Sequence, residues 1–201
     1  MMARHFKPLT VAAAGVAVFL TSCQSAPTRL FALNPIAPAS IPSPYNGPAI
    51  HVESVHVPPA LDRIEISSEV APGEFRVNEL DHWVAPLGEI TRQVLTADLM
   101  ARLPQGRVIF PHLAGPAGAI GINVDLLSFS ADREGVATLH VSWVGIADAS
   151  QPRCEGTMVL QTTRAGVTSA ATANALSTLL AQLADRIVAE LILLTPLDPS
   201  T

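Results

Sequence analysis

Lysine occurs once in the 201 residues, at Lys7, and tyrosine once, at Tyr45. Aromatic residues make up 4% of the chain and charged residues 14%, with a formal net charge of -5. A nucleic-acid groove needs fields of Lys and Arg with stacking rings between them, so this composition argues against one. Scarce charge does not mean disorder here. A hydrophobic fraction of 49% suffices to build a core, and the length suits one domain of moderate size. The usual catalytic signatures are missing as well: no G-x-S-x-G, H-E-x-x-H, C-x-x-C or G-x-x-x-x-G-K-[ST] pattern occurs. Seventeen prolines are what the chain has in excess.

The N-terminus reads as an address. Arg4, His5 and Lys7 precede an uncharged run from Leu9 to Leu20. As a helix that run rises about 18 Å against roughly 30 Å of bilayer hydrocarbon, which fits the core of a secretory signal better than a span. Leu20-Thr21-Ser22-Cys23 follows directly and resembles the bacterial lipoprotein signal. An ordinary signal with a chance cysteine, or a short anchor, is the alternative. The resemblance implies cleavage of residues 1–22, a diacylglyceryl thioether on Cys23 and acylation of its amine. Two or three acyl chains at ~0.8 kcal/mol per buried CH₂ make a durable membrane anchor. Gln24, where Asp would favour inner-membrane retention, implies sorting to the outer membrane. The mature chain then carries ten arginines and no lysine against 17 acids. Cys154 is left as a lone thiol, and strand parity puts it on a buried face rather than in a reactive site.

Residues 23–48 form a proline-rich tether, with Pro27, Pro35, Pro38, Pro42, Pro44 and Pro48. Fully extended it would reach about 75 Å at ~3.1 Å per residue. Leu30 to Leu33 are apolar enough to dock as an edge strand, which would shorten the free tether to Gln24–Arg29. Period-two alternation begins after Ala49. Ala137, Leu139, Val141 and Trp143 share one face of the clearest strand, and Cys154, Met158 and Leu160 share one face of another. Parity shifts after Val52 and near Leu126 predict bulges, with Leu127 and Phe129 continuing the buried face. Phe75-Val77 and Val108-Phe110 mark short strands, and Asp132-Arg133-Glu134-Gly135 a hairpin turn.

Pro86 introduces a helix over 87–103 that ends at Pro104. Its stripes are Ile90, Val94, Ala97, Ala101 and Leu95, Leu99, Leu103, with Asp98 and Arg102 between them as an i, i+4 pair, either partly buried or solvated. A second helix starts near Thr168 or Ser169 and runs to about Leu194, its apolar stripe packing on the sheet or reaching into a partner. The whole predicts an α+β fold: a mainly antiparallel sheet with two principal helices, one domain over residues 49–196, two weakly similar halves and a tail at 197–201.

Candidate chemistry is sparse. Gly115, Gly118 and Gly121 lead into a strand, not out of one, so a loop is the better reading than a phosphate cradle. His51, Glu53 and His56 would share a face only through the bulge, a weak case for zinc or copper. Asp62, Arg63 and Glu65 offer charge without a nucleophile. No cofactor and no metal is expected.

Several segments resemble a known family in order and spacing: Thr28 to Leu33, Ala49 to Arg63 with its Pro-x-Leu-Asp-Arg element, Trp83-Val84-Ala85-Pro86-Leu87, Thr91 to Pro104, and Asp125 to Trp143. The family is that of the PqiC/YmbA-type auxiliary lipoproteins of ABC-type and MCE-associated transport systems. Ala60, Ile64, His82 and Ala85 depart from its pattern. The resemblance implies a non-enzymatic envelope lipoprotein that assists lipid transport between membranes and supports outer-membrane integrity, anchored at the periplasmic face of the outer membrane. Its implied partners are an MCE-domain tunnel protein, a membrane permease and further copies of itself in a ring. Asp62, Arg63, Trp83, Pro86 and Leu87 fall on family-motif positions and are the candidate contact surface. A stand-alone periplasmic lipid carrier is the alternative, and an envelope hydrolase a weaker one.

Overall fold

A computed structural model of the chain describes residues 26–39, 44–71, 73–147 and 151–194, with the backbone alone for 151–153. Among the described residues seven strands and two helices follow in the order β1 (Arg29–Phe31), β2 (Ile50–His56), β3 (Glu65–Ala71), β4 (Glu74–Trp83), α1 (Leu87–Arg102), β5 (Ile120–Ala131), β6 (Val136–Ala147), β7 (Gln151–Thr163) and α2 (Ser169–Leu193). After β1 the order is three strands and a helix, twice. The halves differ in pairing: β2-β5-β6-β7 make a four-stranded sheet, while β3 and β4 leave it to form a three-stranded sheet with β1. Both sheets are mixed. β2 runs parallel to β5 and β1 parallel to β4; the other pairings are antiparallel.

Both expected bulges are present. Register shifts fall between Val52 and Ser54 against β5, and between Leu126 and Ser128 against β6. The second corrects one expectation: Leu127 is the extra residue and stands 53% exposed, while Leu126 and Phe129 on either side are buried. A bulge residue has no slot in the alternation, so it turns outward. Asp132 and Gly135 close the β5-β6 turn: Val136 N–H donates to Asp132 Oδ1 at 2.7 Å, and Gly135 takes φ +91°, which suits only glycine comfortably.

Helix α1 has Pro86 at its N-cap and Leu103 at its C-cap. For α2 the Thr168 side chain accepts from Ala171 N–H at 3.1 Å. Both helices pack on one face of the four-stranded sheet and on each other. Leu95 and Leu99 of α1 and Leu179, Leu180, Leu183 and Ile187 of α2 are fully buried against Ile122, Leu139 and Val141. Each such side chain contributes about 1.5–3 kcal/mol by leaving water.

The three-stranded sheet differs from expectation. The Phe75-Val77 strand extends over Glu74–Trp83 as β4, and its partner β3 had no alternation to announce it. Only Ile66 is buried in β3, so neither face is apolar enough to set a period of two. Val108 makes one bridge to Ile50, and Phe110 beyond it is exposed.

The chain just after β1 is strapped to the body. Asn34 N–H donates to Ser177 Oγ at 3.0 Å and Ile36 N–H to Asp98 Oδ1 at 2.7 Å, while Leu33 and Tyr45 are buried. Asp98 and Arg102 are both buried; Arg102 Nη1 donates to the Asp98 carbonyl at 3.0 Å and lies 3.5 Å from its Oδ1. Arg102 finds a shorter partner in Asp185, with Nε 2.6 Å from Oδ1. The solvated form of that pair is thereby set aside.

Candidate functional site

The family-motif residues converge where the end of β2, the turn after it and the start of α1 meet. Pro58 and Pro59 end the strand, and the Pro58 carbonyl accepts from Leu61 and Asp62 N–H at 2.8 and 3.0 Å. This tight turn buries Leu61 and leaves Asp62 and Arg63 facing solvent, with Arg63 Nε 3.5 Å from Glu65 Oε2. Trp83 N–H then donates to the Ile64 carbonyl at 2.7 Å, which ties the turn to the end of β4. Trp83 and Leu87 are 4% and 3% exposed, so they cannot form a contact surface themselves. Both belong to the hydrophobic core. The exposed part reduces to Asp62, Arg63 and Pro86.

Beside these residues opens a cleft of about 610 Å³, lined by Glu53, His56, Asp62, Pro86, Glu89 and Arg92 among others. Arg92 Nη2 donates to Glu89 Oε2 and Gln93 Nε2 donates to Glu89 Oε1, both at 2.8 Å. Hydrogen bonds from Arg92 and then Gln93 hold the Glu89 carboxyl below the usual carboxylate range. Arg92 Nη2 also lies 2.8 Å from His112 Nε2. The cleft is polar, and of its charged lining residues Glu89 and Arg92 pair with each other.

The other candidates disperse. His51 Nε2 pairs with Glu53 Oε2 at 2.5 Å, and His56 does not complete a set. Among the described residues no group of three or more His, Cys, Asp or Glu is arranged to hold a metal. Ser54 Oγ donates to Asn123 Oδ1 at 2.7 Å, a cross-strand contact. Cys154 is 7% exposed; burial pushes its thiol pKa up, against a hydrogen bond from the Gly145 backbone that lowers it. It sits on the buried face that strand parity indicated. Cys23 and Gln24 lie outside the described residues, and among those residues no helix is long and apolar enough to cross a membrane.

Sequence reasoning passed over a buried cluster at Asp81. Its carboxylate accepts from Arg29 Nε and Nη2 at 2.6 and 2.7 Å, from Asn78 Nδ2 at 2.6 Å and from Ser169 Oγ at 2.5 Å. Burial would raise its pKa, but the hydrogen bonds from Arg29 and Ser169 and the charge of Arg29 prevail and lower it. Three elements of the chain contribute, β1, β4 and α2, so no local pattern could have revealed it.

No curated protein matches the chain. A solved crystal structure of a protein described only as uncharacterized superposes with a TM-score of 0.70 at 18% identity, covering 82% of this chain and 99% of its own. Protein XCC0632 from Xanthomonas campestris, assigned to family model DUF330, superposes with a TM-score of 0.65 at 15% identity, covering 83% and 96%. At such identities the likeness shows a shared fold alone. A family model, ABC-type transport auxiliary lipoprotein component, matches residues 31–188, from within β1 to within α2. Since the match takes in both sheets and most of the chain, the protein belongs to the family of ABC-type transport auxiliary lipoprotein components.

Proposed function

We propose that the protein is a non-enzymatic, lipid-anchored accessory subunit of an ABC/MCE-type system that moves lipid between the envelope membranes and supports outer-membrane integrity. The observation that carries this reading is the family match over residues 31–188 standing directly behind Leu20-Thr21-Ser22-Cys23. Cys23 carries the acyl chains, and Gln24 directs the protein to the inner leaflet of the outer membrane, facing the periplasm. From Arg29 to Ile36 the chain is held against the body, so the anchor keeps the domain close to the lipid surface. Confinement of this kind raises the effective concentration of weak contacts. Asp62, Arg63 and Pro86 form the contact surface for an MCE-domain tunnel protein or its permease, and copies of the chain assemble side by side. The filled space between sheet and helices, with Leu99, Leu139 and Leu183 fully buried, favours docking over carriage of lipid inside the domain.

The test is photo-crosslinking in cells from a photoreactive residue at position 62. Crosslinks to an MCE-domain protein or an ABC permease, lost when Cys23→Ser releases the protein from membranes, are the expected result. A Cys23→Ser protein that stays membrane-bound, or crosslinks to neither class, would overturn the reading.

A further inference from the structure

A second cleft, of about 480 Å³, lies on another side of the domain, between the β3-β4 sheet, the β5-β6 turn and the N-terminus of α2. Three arginines line it, one from each region of chain: Arg76 on β4, Arg133 in the turn and Arg164 just before α2. The sequence makes that concentration unusual. With Lys7 in the signal segment, the mature chain has ten cations, all arginine, against 17 acids. Arg29, Arg63, Arg92 and Arg102 each stand against a carboxylate. Among the described residues, none of the three in this cleft does.

Arg164 makes this a built site. It is 6% exposed, and burying a guanidinium without a counter-charge is costly unless a ligand supplies one. Its Nη1 donates to Thr172 Oγ1 and its Nη2 to the Asp132 carbonyl, both at 2.8 Å. Its main-chain N–H donates to the Gly135 carbonyl. These contacts fix the plane of the fork, yet all of them are to neutral acceptors, and Nε is buried with no partner at all. A rigid, preorganised guanidinium with free donor capacity suits planar or tetrahedral oxyanions. The first turn of α2 adds Ser169 and Thr172 to the wall and contains no acidic residue.

Among the described residues Asp132 is the one carboxylate in the lining and Asp81 lies behind it; both accept hydrogen bonds from within the domain. Asp132 lines the cleft, but its Oδ1 accepts from Val136 N–H as part of the turn. Asp81 lies behind Asn78 and Ser169, and its oxygens are taken by Arg29, Asn78 and Ser169. The lining thus holds three positive charges and one negative. Val70, Val77 and Val167 add apolar surface to the lining, Val167 being 78% exposed, so an anion with an apolar extension also finds a surface.

We propose that this cleft binds a phosphate-class anion, a phosphomonoester or phosphodiester, held between Arg76, Arg133 and Arg164. The inference does not depend on the transport reading, because it requires neither an anchor nor a partner protein. A lipid headgroup and a small soluble phosphate are the two sources of such an anion, and the experiment separates them.

The mature, full-length lipoprotein in a neutral detergent is titrated calorimetrically with inorganic phosphate and with dihexanoyl phosphatidic acid below its critical micelle concentration. Dihexanoylglycerol, which lacks the phosphate, is the control. Saturable binding of a phosphate ligand at one per chain is expected. Binding of both identifies a general phosphate site; binding of phosphatidic acid alone identifies a headgroup site that also uses the valines. Arg76 and Arg133 are exposed, so the double variant Arg76→Gln/Arg133→Gln should fold as the parent and bind about tenfold or more weakly. Arg164→Gln should abolish binding, with its melting curve checked because the residue is buried. Saturation by neither phosphate ligand would overturn the proposal. So would equal binding of dihexanoylglycerol, or undiminished affinity in a folded double variant.

Discussion

Arg29 on β1 grips Asp81 on β4 with both edges of its guanidinium, Nε at 2.6 Å from Oδ1 and Nη2 at 2.7 Å from Oδ2. The pair closes the three-residue parallel contact of β1 with β4 at the first residue of β1. Replacing Asp81 with Asn removes the charge while keeping the shape, and a fork that needs two acceptor oxygens then loses one. The Val84 amide, which donates to the Phe31 carbonyl at 2.9 Å, should exchange with solvent about tenfold faster in Asp81→Asn. The Ile36 amide rests on Asp98 instead and should stay protected. Equal protection of Val84 in both proteins would show that β1 is held by other means.

Asp98 makes stability depend on pH in the opposite sense to most carboxylates. Its carboxyl is pushed up to about 6, first by burial, with the nearby Asp185 adding to the rise, against the Ile36 N–H and the Arg102 charge. A folded-state value above the unfolded one means that the folded protein takes up the proton first on acidification. The resulting stabilisation is complete below the ordinary value near 3.8 and is lost as pH rises through about 6. Asp81 and Glu89, whose pKa values are lowered, act the other way and cost stability only as pH falls below the usual carboxylate range. The thermal midpoint of the wild type minus that of Asp98→Asn should therefore rise as pH is lowered from 7 to 4. A difference independent of pH would remove Asp98 from this role.

The parts of the fold legible in the sequence are those whose signal is local. Pro86 and Pro104 bracket α1, and Thr168 caps α2 within one residue of expectation, because capping and proline geometry act over a few positions. The bulges at Val52-Ser54 and Leu126-Ser128 were visible as parity shifts, since one extra residue flips every side chain beyond it. What escaped depends on distant pairs. Leu30 to Leu33 were apolar enough to announce docking, and β1 pairs with β4 there, but Ile36 finds Asp98 and Asn34 finds Ser177 across 62 and 143 positions, and those contacts left no periodic trace. The arginine cleft draws Arg76, Arg133 and Arg164 from three separate elements for the same reason. Trp83 and Leu87 were legible as motif positions but not as core, because a family motif does not distinguish a residue that touches a partner from one that supports the touching residue.

Gly156 stands opposite Trp143 in the β6-β7 register, and a Cβ at position 156 would overlap the indole ring. The strand gives up a side chain so that the ring can lie flat over the ladder. Gly156→Ala should cost about 1–3 kcal/mol through overpacking, read from the midpoint of chemical unfolding. The Trp143 fluorescence should shift as the ring is displaced. Leu180→Ala, which leaves a hole between α2 and the sheet, should cost about 2–5 kcal/mol without that spectral change. A Gly156→Ala protein with wild-type stability and spectrum would mean that β7 moves aside at little cost.

Cys154 should be silent in the native protein. Its sulfur is buried under α2, and burial has raised the thiol pKa, so the thiolate that attacks a disulfide reagent is scarce as well as hidden. Gly145 leaves just enough room for it, since a methyl there would stand 2.5 Å from Sγ. Reaction of the mature lipoprotein with an aromatic disulfide should therefore wait for unfolding, at least about 100-fold slower in buffer than in denaturant. With the proposed thioether on Cys23, the denatured chain should titrate as one thiol. Rapid labelling of the folded protein at one thiol per chain would show that β7 and the end of α2 open readily, and would move Cys154 from the core to an accessible surface.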